Sequence, residues 1–102
     1  MTRVPTYIML TTLTHEGSKT LTTQPDRVRA VNEELREYGC RVVAQYATLG
    51  PYDFVNIVDA PDNESIAVLS AALAARGSIT MLTMPAVSIG DLLGRLKSAP
   101  QP

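Results

Sequence analysis

The stretch CRVVAQYATLGPYDFVNIVDA, residues 40–60, decides the fold, because it sets two apolar-rich runs on either side of a Gly50-Pro51 pair. Gly and Pro favour turn conformations that do not fit inside a strand, so the pair predicts a hairpin of two antiparallel strands. Tyr52 and Asp53 stand at the head of the second strand. We expect both to frame the hairpin, since an Asp after a turn accepts backbone N–H bonds and a Tyr at a strand end packs its ring.

The segments outside the hairpin add strands and helices in a regular order. Strands are indicated by β-branched and apolar runs, and helices by apolar residues at three- and four-residue spacing that end in glycine. The predicted elements are a strand at 7–13, a short turn capped by Thr14, a helix at 24–39, the hairpin, a helix at 60–77, a strand at 78–87 and a last helix from Ser88 through Lys97. This order predicts one α+β domain at 1–97, a ferredoxin-like βαββαβ fold with a C-terminal helix, followed by a disordered tail at 98–102.

The two central strands predict an assembly of more than one chain. The helices of this fold cover one face of the sheet, yet the first and third strands are apolar on both sides. An open apolar face of several hundred Å² is unusual on a soluble monomer, so something must cover it. A second copy of the chain is the simplest cover, and we expect a homodimer or higher homo-oligomer.

Composition excludes several functional classes. The chain has 102 residues with a formal net charge of -1, and its basic residues are scattered among acids, so nucleic acid is not an expected partner. The apolar stretch near the N-terminus is too short for a membrane span. Cys40 is the sole cysteine, which forbids an intrachain disulfide and favours a cytoplasmic protein. The single histidine, His15, argues against a metal site, and no motif for a nucleotide or other cofactor is present.

Several segments together resemble the GYD-domain family of small bacterial and archaeal proteins across nearly the whole chain. The resemblance is carried by TYIMLTTLTHEG, PDRVRAVNEELREYG, AQYATLGPYDFVNIVDAPDNE and MPAVSI, in matching order and spacing. The family's Gly-Tyr-Asp motif corresponds to Gly50, Tyr52 and Asp53, with Pro51 as an extra turn residue. The resemblance implies a dimeric α/β-barrel assembly. It implies no single activity, because the related superfamily includes cofactor-free monooxygenases, isomerases, haem-handling proteins and sensor modules.

Asn56 is the most informative polar residue, because it interrupts an apolar strand where an unpaired amide would be costly. If Val55 and Ile57 meet the helices, Asn56 faces the opposite side of the sheet, where a small-molecule cavity could form. An equally weighted alternative is a buried amide that bonds a tyrosine across the dimer interface. The candidate ligand-binding residues are Tyr7, Met9, Thr11, His15, Tyr46 and Asn56.

Three functions remain open at this point. The first is a homo-oligomeric ligand-binding or sensing protein. The second is a cofactor-independent enzyme, monooxygenase- or isomerase-like, acting on a small aromatic or enolisable compound through Tyr46, Asn56 and His15. The third is a structural subunit whose second sheet face is covered by another copy of the chain, which leaves no cavity. Cys40 lacks an activating neighbour in the sequence, so we expect it to be a packing residue.

Overall fold

The computed structural model describes residues 4–100 and contains four strands and four α-helices in that range. In chain order these are β1 (Thr6–Leu13), α1 (His15–Thr23), α2 (Arg27–Glu34), a 3₁₀ turn (Leu35–Tyr38), β2 (Arg41–Ala47), β3 (Phe54–Asp59), α3 (Asn63–Ala74), β4 (Ile79–Ala86) and α4 (Ile89–Ser98). The strands form one antiparallel sheet in the order β2-β3-β1-β4. This α+β architecture is consistent with the predicted ferredoxin-like fold. Helix α4 ends at the first residue of the predicted tail, and positions 101 and 102 of that tail lie outside the described residues.

The first helical region differs from its prediction. Thr14 is a cap as expected, because its hydroxyl accepts a hydrogen bond from the Gly17 N–H at 3.1 Å, but the turn that it opens is a helix of nine residues. The predicted helix at 24–39 begins only at Arg27 and tightens into the 3₁₀ turn before Gly39. Gly39 has a φ of 74°, the left-handed conformation expected of a glycine past a helix end.

The faces that the central strands turn toward the helices are the opposite of those predicted. Tyr7, Met9 and Thr11 of β1 are buried, and Met9 stands opposite Asn56, which is also buried. Val58 is fully buried in the same layer. The prediction that Tyr7, Met9, Thr11 and Asn56 face away from the helices is therefore wrong. Strand alternation then sends the other residues of both strands to the open face.

The core lies between this buried side of the sheet and the helices. Helix α3 supplies Ile66, Leu69 and Leu73, and Asp62 caps it by accepting a hydrogen bond from the Ser65 N–H at 2.7 Å. The other buried apolar residues are Tyr7, Met9, Leu35, Cys40, Val58 and Ala60. Helices α1 and α2 are less deeply seated than α3, because Gly17 is the only buried residue of the two. A space remains beneath them.

A bulge in β2 sets which of its side chains meet the helices. The register with β3 shifts between Val42 and Ala44, so Val42 pairs with Val58 and Gln45 with Asn56 on the helix side. Tyr46 pairs with Val55 on the open side and is 63% exposed. The predicted grouping of Tyr46 with Asn56 on one face is therefore wrong.

Helix α4 projects away from the sheet. No element of the described chain makes extensive contact with it, and its apolar residues Ile89, Leu92, Leu93 and Leu96 are all exposed. The radius of gyration is 15.8 Å, whereas a compact domain of 100 residues has about 13 Å. The long axis of 54 Å fits the same picture. Helix α4 thus carries an apolar stripe that residues 4–100 leave uncovered.

Candidate functional site

A cavity of about 160 Å³ lies between the sheet and helices α1 and α2, and we call it the helix-side cavity. Its lining comes from all four strands and from α1 and α2, with Leu35 of the 3₁₀ turn and Leu73 of α3. Its apolar lining includes Leu13, Val28, Val31, Leu35, Phe54 and Met81. Its polar lining includes Thr11, Thr20, Asn32, Gln45, Asn56 and Ser78, together with Arg27 and Arg76. An apolar body with a few convergent polar groups is the usual composition of a small-molecule site.

Three amide side chains form a hydrogen-bonded row along one wall. The Asn32 amide donates to the Gln45 oxygen at 2.9 Å, and the Gln45 amide donates to the Asn56 oxygen at 2.7 Å. The Asn56 amide donates to the Met9 carbonyl at 2.8 Å. Because a carbonyl can only accept, the Met9 carbonyl fixes the orientation of Asn56 and, through it, of the other two amides. We call these residues the amide row.

Two arginines and a glutamate stand at the edge of the cavity. The Arg76 guanidinium donates to one oxygen of the Glu34 carboxylate, and an Arg27 nitrogen lies 3.8 Å from the other oxygen. Both arginines line the cavity, whereas Glu34 is not among the lining residues. The group ties α2 to the end of α3, carries a net single positive charge, and is half-buried.

The sequence-predicted ligand residues are divided among four places. Met9, Thr11 and Asn56 line the helix-side cavity. Tyr7 lies on the same side of the sheet but under α3, where its hydroxyl donates to the Asn63 oxygen at 2.5 Å. Burial raises the pKa of the Tyr7 hydroxyl, and the nearby acidic residues add to the shift.

The remaining two predicted residues do not join this group. Tyr46 lies on the opposite face of the sheet, and His15 is the exposed first residue of α1. A single site built from Tyr46, Asn56 and His15 is therefore not formed within this chain.

The lining residues that the sequence analysis did not identify include Arg27, Asn32, Gln45 and Arg76. Asn32 did carry a signal, because it follows Val28 by four residues and so falls on the apolar stripe of its helix, as Asn56 falls in an apolar strand. Gln45 was hidden by the bulge, which changes the face that it occupies. The arginines looked like ordinary surface charges, and only the tertiary fold brings them together.

Asp53 has the structural use that was expected of it. Its carboxylate accepts a hydrogen bond from the Leu13 N–H at 2.7 Å, and its own N–H donates to the Thr11 carbonyl at 2.8 Å. Its carbonyl accepts from the Thr48 N–H at 2.8 Å, which closes the hairpin. The motif residue therefore ties the hairpin to the end of β1. Gly50, with a φ of 113°, supplies the left-handed turn residue.

Cys40 is buried at the start of β2. Burial raises the pKa of its thiol, and the Asp62 carboxylate adds to the shift, so the reactive thiolate is disfavoured. Within residues 4–100, no three His, Cys, Asp or Glu side chains gather in a way that could hold a metal ion. None of the helices in that range combines the length and the apolar character that crossing a bilayer requires.

The face of the sheet turned away from the helices is called the open face; its centre is apolar, and Thr6, Thr12, Arg41, Asp59 and Thr80 lie toward its ends. By the register of the strands, it carries Ile8, Leu10, Ala44, Tyr46, Val55, Ile57, Leu82 and Met84. Tyr46, Leu82 and Met84 are 63%, 46% and 37% exposed. At the hairpin tip, Leu49 is completely exposed.

Comparison of the fold with solved structures gives two partial likenesses. The Mycobacterium tuberculosis leucine response regulatory protein is matched with a TM-score of 0.57 at 15% identity, over 82% of this chain and 51% of that protein, so this chain corresponds to about half of its length. A Thermus thermophilus protein of known structure is matched with a TM-score of 0.51 at 23% identity, over 82% of this chain and 94% of that one. At these identities the likeness concerns the fold.

Comparison of the amino-acid sequence with known proteins gives a closer relationship than these two structural likenesses. A Thermus thermophilus protein named glutamine synthetase and cystathionine beta-lyase binding protein is 52% identical over 95 residues, which is 92% of this chain and the whole of that protein. The family model of the GYD domain matches residues 7–93. The resemblance drawn from the hairpin and its flanking segments is confirmed, and the chain belongs to the GYD domain family.

Proposed function

We propose that this protein is a small homo-oligomeric binding protein that docks on metabolic enzymes of the glutamine synthetase or cystathionine β-lyase kind. The observation that carries the proposal is the 52% identity to a protein named for binding those two enzymes, extending over that protein's entire length. Such partners would place the protein in the cytoplasm, in agreement with its single, buried Cys40.

The exposed apolar surface supports a docking role. A soluble chain rarely exposes a contiguous apolar face without using it for association. This chain has the open face, the α4 stripe and the exposed Leu49 at the hairpin tip. A homodimer would use part of this surface and leave the rest for an enzyme.

The test uses the two enzymes from the organism that encodes this chain. Each purified enzyme is passed over immobilised protein, and binding is measured by surface plasmon resonance. Saturable binding of either enzyme at micromolar concentration supports the proposal, and the variant Leu49→Ser separates the hairpin tip from other contacts. An exposed position on α3, Val68, which is 58% exposed, provides the matched control Val68→Ser. If neither enzyme binds at saturating concentration, the proposal is contradicted.

A second copy of the chain is the proposed cover of the open face. Light scattering over a dilution series measures the assembly directly. Leu82→Lys places a charge on the open face and should shift the dimer toward monomer, since burying an unpaired ammonium is costly. Val68→Lys adds the same charge to the exposed side of α3 and should leave the dimer intact. A wild-type protein that stays monomeric and soluble at micromolar concentration would refute the homodimer.

Ligand binding in the helix-side cavity is a second candidate function, favoured by the cavity volume and by the two arginines among its lining residues. Its chemistry suits binding better than catalysis. Amide groups are neither acids nor bases near neutral pH, so the amide row cannot transfer protons in catalysis. Mass spectrometry of small molecules released from natively purified protein tests this function, and protein that releases nothing and binds nothing in a ligand screen would count against it.

A further inference from the structure

We propose that the helix-side cavity binds a small monocarboxylate with a compact apolar body, whose carboxylate is held by Arg27 and Arg76. The inference rests on the proposed ligand-binding role of this cavity. Size is its first support, because the cavity has a volume of about 160 Å³. A protein cavity of about 150 Å³ with apolar walls accepts a benzene molecule, so a body of about six heavy atoms fits.

The side chains that line the cavity determine how polar the body of the ligand can be. Branched, aromatic and thioether side chains, among them Val28, Phe54 and Met81, surround the space. The amide row does not call for a polar ligand group, since its members bond one another and the Met9 carbonyl. Within residues 4–100, every buried side-chain nitrogen and oxygen has a hydrogen-bond partner. An apolar body therefore loses nothing by entering, whereas a strongly polar one would give up its hydration without replacement.

Charge at the edge determines where the polar end of the ligand goes. Among the described residues that line the cavity, the ionised side chains are the two arginines, and no carboxylate lines it. Each guanidinium has five N–H donors, more than contact with Glu34 can use. The net charge of Arg27, Arg76 and Glu34 is one positive, which suits one carboxylate better than a doubly charged phosphate.

Glu34 is the carboxylate that Arg27 and Arg76 already hold. Its two oxygens already contact Arg76 and Arg27, although Glu34 itself does not line the cavity. A ligand carboxylate entering from the cavity would share the same donors and repel Glu34. Removal of the Glu34 charge should therefore strengthen ligand binding, a result that a purely structural ion pair would not give.

The experiment titrates the full chain with benzoate and follows the methionine methyl signals by NMR. Met9 and Met81 line the cavity and report its occupation, whereas Met84 lies on the open face and serves as the internal control. Benzyl alcohol has the same ring without the charge, and acetate has the charge without the ring. We expect saturable benzoate shifts at Met9 and Met81, binding of benzyl alcohol weaker by about tenfold, and no saturation with acetate.

Three variants assign the charge selection to named residues. Arg76→Gln should weaken benzoate binding by about tenfold, whereas Arg36→Gln, which removes an exposed arginine paired with Glu33, should leave it unchanged. Glu34→Gln should strengthen it. If Arg76→Gln proves unfolded by circular dichroism, Arg27→Gln takes its place.

Several results would overturn the inference: equal affinity for benzyl alcohol and benzoate, equal competition by inorganic phosphate, equal losses in Arg76→Gln and Arg36→Gln, or benzoate shifts confined to Met84. Failure of the enzyme-docking proposal is seen separately, by surface plasmon resonance without benzoate. If docking persists and benzoate does not bind in the cavity, only the carboxylate inference is refuted. Binding of benzoate without docking supports the ligand site and counts against the enzyme partners.

Discussion

Gly17→Ala provides a strong test of how α1 is seated on the rest of the molecule. Gly17 is buried in the first turn of α1. A Cβ atom added there would lie 2.0 Å from the Ser78 carbonyl oxygen and 3.1 Å from a Leu13 methyl group. The oxygen belongs to the backbone, so no side-chain rotation can relieve the contact. Helix α1 must instead move by about 1.4 Å relative to Ser78 to reach the 3.4 Å of an ordinary contact.

This movement has a cost that can be compared with the gain from alanine. Thr14 ties α1 to the same loop, because its N–H donates to the Ser78 carbonyl at 3.0 Å and its hydroxyl donates to the Gly77 carbonyl at 2.7 Å. Overpacking costs about 1–3 kcal/mol, and each strained hydrogen bond adds roughly 0.5–1.5 kcal/mol. Alanine in a helix returns at most about 1 kcal/mol. With both Thr14 hydrogen bonds strained and the alanine gain deducted, we expect the free energy of unfolding to fall by about 1–5 kcal/mol.

Urea unfolding followed by circular dichroism measures the change at fixed protein concentration. Gly90→Ala and Gly94→Ala are matched controls, because both glycines lie in α4 and a Cβ atom at either one meets nothing within 4 Å. They should be neutral or stabilising by up to about 1 kcal/mol. A Gly17→Ala protein as stable as the wild type would refute the seating of α1 on the Ser78 loop and, with it, the contribution of α1 to the lining of the helix-side cavity.

Three further predictions follow from individual contacts. Asp53→Ala should lower the free energy of unfolding by about 1–3 kcal/mol in urea titration, because it leaves a backbone N–H at the end of β1 without its acceptor. Asn56→Leu should destabilise by a similar amount by breaking the amide row, and Gln45→Leu in the same chain should recover part of the loss; additive losses would contradict this coupling. Cys40 should resist a thiol reagent in the folded protein and react once the protein is unfolded.

The order of strands and helices could be predicted because its signals are local. The glycines at positions 39, 50 and 77 all have positive φ, and each ends or turns an element where the sequence placed it. Helix α1 was underestimated because HEGSKTLTT offers almost no apolar stripe. Its position depends on Thr14 and Gly17 meeting the Ser78 loop, a contact distant in sequence.

Which side of each central strand meets the helices could not be predicted, and the reason is different. Both sides of β1 and β3 are apolar, so alternation alone cannot say which side meets the helices. Asn56 was expected on the second face on the condition that Val55 and Ile57 meet the helices. The structure satisfies it instead with Gln45, which reaches the same side only because of the bulge in β2.

This reversal strengthens the case for a second copy of the chain. Had Asn56 faced away from the helices, the open face would have carried a buried-type amide at its centre. The central strands instead present Ile8, Leu10, Val55 and Ile57 there, with no amide among them. Burying such a surface is favourable by roughly 25 cal/mol per Å² and requires no matching hydrogen bonds. The open face is therefore better suited to pairing with a second copy of the chain than it would be with Asn56 at its centre.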